Sequence, residues 1–357
     1  FLRIFRKIYG MLDRSAQGEK GAYHPSYFEF LFFMAMVYFA ERKPDFCILE
    51  TGLGGRLDAT NSVRRKELAV ITHMGLDHVE YLGDTVEKIA GEKAGILQAG
   101  AEAVFWDTCP ETTAVFERRA SELGIIAQSV SEKDISFSNF NGKSIDFSLR
   151  TGYYGVRNVN GGEDVHGGED VHGCIDLALQ TIAAYQAENC ALAVRGIEAL
   201  QAVFWACGRP VTEEHIRKGA WDCFWAGRME EVLPGVYVDG GQNEDGIRAF
   251  LESVSADGHK GGRSLLFGVA RDKDYEHMME RLIASGLFGR IAAAPMGNVR
   301  GLDSEGLDAL MRKYPDCRFR VHEDVASALR ALLQEREGER IYIAGSLYLV
   351  GEIKELI

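Results

Sequence analysis

From Phe46 onward, short apolar runs alternate with longer amphipathic ones: "FCILE", "LAVIT", "DTVEKIAGEKAGIL", "AEAVFW" and "TTAVFERRASELG". Brief runs of apolar residues read as strands, and stretches with apolar positions three and four apart read as helices, so this order predicts β-α units around a parallel sheet. Residues 134–150, "DISFSNFNGKSIDFSLR", alternate apolar and polar positions around Asn141-Gly142, which predicts a β-hairpin. A helix is predicted across "CIDLALQTIAAYQAENCALAVRGIEAL". After "CGRPVTEEHIRKGAWDC" a second alternation begins, with strands at "GVYVDG", "SLLFGV", "RIAAAP", "CRFRV" and "RIYIAG" and amphipathic helices following each. It reads as a complete α/β domain. The fold class is therefore α/β in two domains, 1–225 and 226–357.

Two segments depart from this rhythm. "YFEFLFFMAMVYFA", Tyr27 to Ala40, is apolar on every face but shorter than the roughly 20 residues that cross a bilayer, and it contains Glu29. It predicts a buried helix and no membrane contact. "GGEDVHGGEDVHG" repeats a six-residue unit at 161–166 and 167–172. Its acids and histidines sit in a glycine-rich stretch without preorganised geometry, so it reads as a surface loop and not as a metal site.

Composition narrows the function. With 46% hydrophobic and 26% charged residues among 357, the chain is of ordinary globular character. Its 40 basic residues against 53 acidic ones give a charge of −13, which argues against wrapping a nucleic acid while leaving room for a small anionic ligand in a local basic cleft. Seven cysteines without a CxxC pair suit reduced thiols in the cytoplasm. The chain begins at Phe1 with no signal-peptide pattern and reads as clipped at its front.

The candidate chemistry lies beyond strand ends, where open parallel sheets gather ligands. In "LETGLGGRLDATN", Glu50 ends an apolar run, and Gly52, Gly54 and Gly55 permit a close backbone approach. "LAVIT" leads into "HMGLDHVEYLG", placing His78 beyond the neighbouring strand end, so Glu50 and His78 are expected to converge on one ion. "GLGGR" itself is not the GxGxxG dinucleotide fingerprint, because "LDATN" and not a helix follows it.

Taken together, "LETGLGGRLDATN", "ITHMGLDHVEYLGDTVEKIAGEKAGIL", "YQAENCALAV", "GRMEEV", "VDGGQNEDGI", "LLFGVARDKD" and "AGSLYLVGEIK" resemble the folylpolyglutamate synthase/dihydrofolate synthase family of the Mur ligase superfamily, over nearly the whole chain. The resemblance implies an ATPase domain with a parallel sheet, lacking its P-loop part, followed by a Rossmann-like glutamate ligase domain. It implies an ATP-dependent ligase that phosphorylates a folate or dihydropteroate carboxylate and lets the amine of L-glutamate attack the acyl phosphate. Carboxylate and triphosphate repel each other, so positioning and charge neutralisation carry the catalysis.

Residue by residue, the resemblance makes Glu50 and His78 ligands of Mg²⁺ and Lys93, in "GEKAGI", a carbamate that holds the metal, with K⁺ as a further cation. Asn189 matches the family's adenine-side asparagine, Arg228 a linker arginine that reaches the phosphates, and Asp239 an aspartate on the nucleotide side. Asp272, Lys273 and Ser346 fall in motifs where the incoming glutamate enters. The implied protein is a cytoplasmic monomer whose partners are these small molecules.

Two departures qualify the match. Gln242 stands in "DGGQN" where the family carries His, and an amide cannot become cationic near neutral pH. No Gly-Lys-Gly-Ser/Thr turn occurs before "HPSYFEFLFFMAMVYFAERKPD", so roughly the first hundred residues of the ATPase domain are expected to be missing and these residues alone to be inactive. Two alternatives stay open. A non-catalytic folate- and glutamate-binding homologue suits the loss, whereas a nicotinamide dehydrogenase suits the α/β alternation but lacks GxGxxG in place.

Overall fold

The computed structural model describes residues 1–12, 24–76, 79–153 and 173–357. The chain forms two compact units, Phe1–Ser129 and Val130–Ile357. The glycine-rich repeat and His78 lie outside the described residues.

The first unit opens with α1 (Leu2–Met11) and α2 (Tyr27–Arg42), which meet through Ile4, Ile8 and Met34. Ser26 starts α2 with a capping box: its hydroxyl accepts from the Glu29 N–H, and the Glu29 carboxylate accepts from the Ser26 N–H. The apolar run makes the predicted helix, yet only Phe32 and Met34 are buried in it and Tyr27 is 83% exposed. A helix apolar all round buries only the faces that neighbours cover.

The strand expected at 46–50 does not form. These residues are irregular and Ile48 is 97% exposed, because a strand needs a partner for its backbone groups and among the described residues no strand pairs with this run. The sheet of this unit runs β1 (Leu68–Ile71), β2 (Glu102–Trp106), β3 (Ala127–Val130), with Leu68 opposite Glu102 in parallel register. Helices α3 (Val79–Leu82), α4 (Val86–Ala94) and α5 (Pro110–Leu123) follow the expected alternation. Ile89 and Phe116 from the latter two pack on Ile71 and Phe105.

In the second unit, β4 (Ile135–Phe140) and β5 (Ile145–Thr151) form the predicted hairpin, with Gly142 at φ 78° in its turn, and β6 (Gly173–Leu179) adds a third antiparallel strand. This last strand corrects the helix predicted from Cys174. Ile175, Leu177 and Leu179 point inward alternately, a period of two that the longer apolar stretch masked, and α6 (Gln186–Ala199) begins only afterwards. Helices α7 (Gln201–Ala206) and α8 (Glu213–Asp222) complete this part. Residue 225, where the sequence places a domain boundary, falls between α8 and the next strand.

The remaining chain alternates β7 (Glu230–Leu233), β8 (Val236–Val238), α9 (Glu244–Ala256), β9 (Arg263–Phe267), α10 (Tyr275–Ala284), β10 (Arg290–Ala293), α11 (Ser304–Arg312), β11 (Phe319–Val321), α12 (Val325–Gln334), β12 (Arg340–Ala344) and α13 (Leu347–Leu356). The six strands order as β11-β10-β9-β12-β8-β7, all parallel except β7, which pairs antiparallel with β8. Alternation along β12 shows why helices cover both faces. Tyr342 and Ala344 join the core with Phe250, Met278 and Leu307, whereas Ile341 and Ile343 join Leu329, Leu349 and Ile353. Among the described residues no helix is long and apolar enough to cross a membrane.

Candidate functional site

In the first unit two sequence motifs meet. The Arg56 N–H donates to the Glu92 carbonyl at 2.8 Å, and the Arg56 guanidinium pairs with the Glu92 carboxylate at 2.9 Å. A Cβ at Gly95 would stand 2.4 Å from Arg56 Cβ, and one at Gly55 would stand 2.8 Å from the Glu92 carbonyl and 3.1 Å from Lys93 Cα. Only glycine permits that approach. Asp58 fixes the same loop, accepting from the Gly52 and Leu53 N–H groups at 3.0 Å, while Asn61 Nδ2 bridges the Arg56 and Gly95 carbonyls. The loop after Glu50 is thus seated on the end of α4 that carries Lys93.

Glu50 is exposed and Lys93 half-buried. Among the described residues no three His, Cys, Asp or Glu side chains gather as a cation site, His78 lying outside them. The donor set itself decides the fit: a carboxylate oxygen suits Mg²⁺, but an ammonium has no lone pair to give, so Lys93 fits beside that ion only as a carbamate.

The second unit holds a cavity of about 770 Å³, lined among others by Ile182, Asn189, Val194, Ile216, Phe224 and Arg228. Asn189 lies in the first turn of α6, its amide nitrogen donating to Gln186 at 2.9 Å. Beyond Arg228, Met229 adopts φ 46°, a left-handed conformation uncommon for a side chain of this size, and its N–H donates to Asp239 at 3.0 Å. Cys190 and Cys223 also line the cavity. Burial, and then Cys223, push the Cys190 thiol up to about 12, so it is no nucleophile at neutral pH.

Asp239 follows β8 directly and is buried. It accepts from the Tyr185 hydroxyl at 2.7 Å and the Gly241 N–H at 2.8 Å as well as from Met229. Burial raises its pKa, and these donors together with the charge of Arg228 offset that only in part. Tyr185 in turn is pushed far above its ordinary value, by burial first and by the neighbouring carboxylate second. Sequence reasoning missed this tyrosine, although its place four residues before Asn189 sets both on one side of the same helical turn. Gln242 is half-buried in the turn before α9, whose amino end Asn243 caps through the Gly246 N–H.

Asp272 and Lys273 lie in the loop after β9 and Ser346 in the turn after β12, and those two strands are neighbours in the sheet. Gly345, at φ 118°, lets the two turns touch: a Cβ there would stand 2.6 Å from the Gly268 carbonyl. Ser346 is buried and caps α13, its hydroxyl accepting from the Tyr348 N–H at 3.1 Å. Asp272 is exposed and pairs with Arg300 at 2.9 Å. The structure therefore sets Asn189 and Arg228 on one cavity with Asp239 beside them, and Asp272 next to an arginine that the motifs did not single out.

No protein-family model matches the chain. The dihydrofolate synthase/folylpolyglutamate synthase of Bacillus subtilis (strain 168) is 33% identical over 349 residues, which cover 96% of this chain and 74% of that protein. Among solved structures, E. coli FolC in complex with DHPP and ADP is similar with a TM-score of 0.75 at 26% identity, over 99% of this chain and 74% of that one. The apo form of L. casei FPGS gives a TM-score of 0.76 at 25% identity, over 99% and 76%. An extended likeness in sequence, over nearly the whole chain, leads to one conclusion: the chain belongs to the dihydrofolate synthase/folylpolyglutamate synthase family.

Proposed function

We propose that these residues are the greater part of an ATP-dependent ligase that joins L-glutamate to the carboxylate of a folate or dihydropteroate through an acyl phosphate. The observation that supports it best is the shared cavity of Asn189 and Arg228 with Asp239 beside it. Asn189 offers a donor and an acceptor to a purine edge, and Arg228 a planar fork to phosphate oxygens. Gln242, three residues after Asp239, has an amide that can hydrogen-bond without adding charge. Residues 1–225 make up the ATPase domain in this reading and 226–357 the glutamate ligase domain.

Glu50, His78 and carbamylated Lys93 are the residues that would hold Mg²⁺, which when bound neutralises phosphate charge, with K⁺ as an accessory cation. The chain's own contribution is to position. Gly55 and Gly95 hold the Glu50 loop against the Lys93 helix, and Asp272, Lys273 and Ser346 receive the glutamate. Reaction with CO₂ turns the neutral Lys93 amine into an anion, releasing a proton. The working molecule is cytoplasmic and monomeric.

The 357 residues contain no Gly-Lys-Gly-Ser or Gly-Lys-Gly-Thr turn, so they are expected to bind ADP without turning over ATP. Calorimetric titration with ADP, beside an assay of phosphate release with glutamate and dihydropteroate or a reduced folate, tests both halves. Saturable ADP binding that Arg228→Ala weakens roughly tenfold supports the reading; absence of any nucleotide binding overturns it.

A further inference from the structure

We propose that Cys190 and Cys223 form a reversible disulfide that tightens one end of the cavity, a thiol-modification site outside the ligase chemistry. Two hydrogen bonds set the geometry. Arg217 Nη1 donates to the Asp176 carbonyl at 3.1 Å, and Gln180 Nε2 donates to the Trp221 carbonyl at 3.0 Å. Residues 176 and 180 thus meet 217 and 221 in the same order, so β6 and α8 run side by side in one direction and finish together. After the short segment 180–185, α6 begins at that same end. Cys190, Val194 and Ile197 turn one face of α6 to the cavity, and Ile216, Ala220 and Cys223 turn one face of α8 to it. Cys190 opens the first face and Cys223 closes the second, so both thiols look into the cavity from ends that β6 brings together. The charge of Cys223 is felt at Cys190.

Exposure sets the order of reaction: Cys223 is exposed and Cys190 half-buried. The oxidant is a low-molecular-weight disulfide such as oxidised glutathione. The Cys223 thiolate attacks one of its sulfurs, forming a mixed disulfide and releasing a glutathione thiolate, which takes up the proton that Cys223 gave. Cys190 then attacks the Cys223 sulfur and expels the second glutathione, which takes up the Cys190 proton. Two protein thiols lose two electrons and two protons, and one glutathione disulfide becomes two thiols. Burial keeps Cys190 from opening the exchange, and proximity carries it through the second, slower step. A disulfide needs its Cα atoms within about 7 Å of each other, so the bond holds the end of α8 against the start of α6. Asn189 adjoins Cys190, and the chain runs on from Cys223 through Phe224 to Arg228, so the cavity tightens where nucleotide contacts are proposed. In a reducing cytoplasm such a bond is transient and forms under oxidative load.

Incubation of the folded chain with oxidised glutathione, followed by thiol counting in denaturant and peptide mapping, tests the bond. Two fewer free thiols and a peptide joining residues 190 and 223 are expected, and reduction is expected to restore both thiols. Cys190→Ala is expected to leave Cys223 as a stable glutathione adduct. Should that variant fail to fold, Cys223→Ser changes an exposed position and is expected to abolish the link. A parent that keeps its thiols, stops at a glutathione adduct on Cys223, or links through other cysteines overturns the proposal. Titration with ADP reads the effect on the cavity, and this arm rests on the ligase reading above. The oxidised parent is expected to bind ADP roughly tenfold more weakly than the reduced parent, a difference that Cys223→Ser removes. A mapped link with unchanged ADP affinity overturns the tightening. A reduced parent that binds no ADP overturns the ligase reading, while the mapped link still decides the disulfide.

Discussion

Two buried aspartates stand at opposite ends of the six-stranded sheet. Asp239 follows β8 at the carboxyl end, whereas Asp257 follows α9 and lies beside Arg263 and Arg340, the first residues of β9 and β12. Asp257 accepts from Arg263 at 2.7 Å, Arg340 at 2.9 Å, the His259 N–H at 2.8 Å and the Tyr342 hydroxyl. Burial works against its charge, but Tyr342, His259 and Arg263 outweigh burial and hold its pKa below the ordinary value. Asp239 has only neutral donors in contact, and there burial wins. The amino end of the sheet is electrically closed and serves stability. At the carboxyl end burial holds Asp239 toward its neutral form, and the charge of Arg228 offsets that only in part.

Breaking the closed end should have the largest effect. Asp257→Ala strands two guanidiniums and is expected to cost about 3–5 kcal/mol in urea denaturation, with ADP affinity retained in whatever fraction stays folded. A loss below about 1 kcal/mol would erase the distinction between the two ends.

The pH dependence sharpens the contrast because the signs are opposite. Asp257, with its folded pKa depressed, adds stability that is present above its ordinary 3.8 and is lost as pH falls through the lower folded value. Asp239, with its folded pKa raised, favours the protonated fold, so its contribution is full below 3.8 and is lost as pH rises through the raised value. Urea midpoints measured from pH 3 to 7 should show Asp239→Asn removing the upper loss and Asp257→Asn removing the lower one.

The smallest effect is expected at a pair belonging to neither end. Glu244 and Arg281 form a surface ion pair, both half exposed, and Arg281→Ala should shift stability by no more than about 0.5 kcal/mol by the same measurement.

Much of this was legible in the residues. The α/β alternation of the second half reads directly, because β8, β9, β10 and β12 are buried on both faces and the helices show apolar stripes. The 46–50 run failed as a strand for a reason no local pattern carries, since pairing is supplied by another segment. "CIDLALQ" failed because a period of two ran straight into a period of 3.6. Asn189, Arg228 and Asp239 were read from long motifs, whereas Tyr185 and Arg300 stand out only by what they touch: Asp239 in one case, Asp272 in the other. Contacts between residues 54 or 28 positions apart leave no mark on neighbouring letters.

The crossing of Gly345 over the Gly268 carbonyl sets a limit on drift. Any heavier residue at 345 drives a wedge between two turns, and those turns carry Ser346 on one side and Asp272 with Lys273 on the other. Gly351, inside α13 with open space around its missing Cβ, is free to change. Two codons six apart thus face unlike selection: one is frozen by the close approach of two turns, and the other is left to wander.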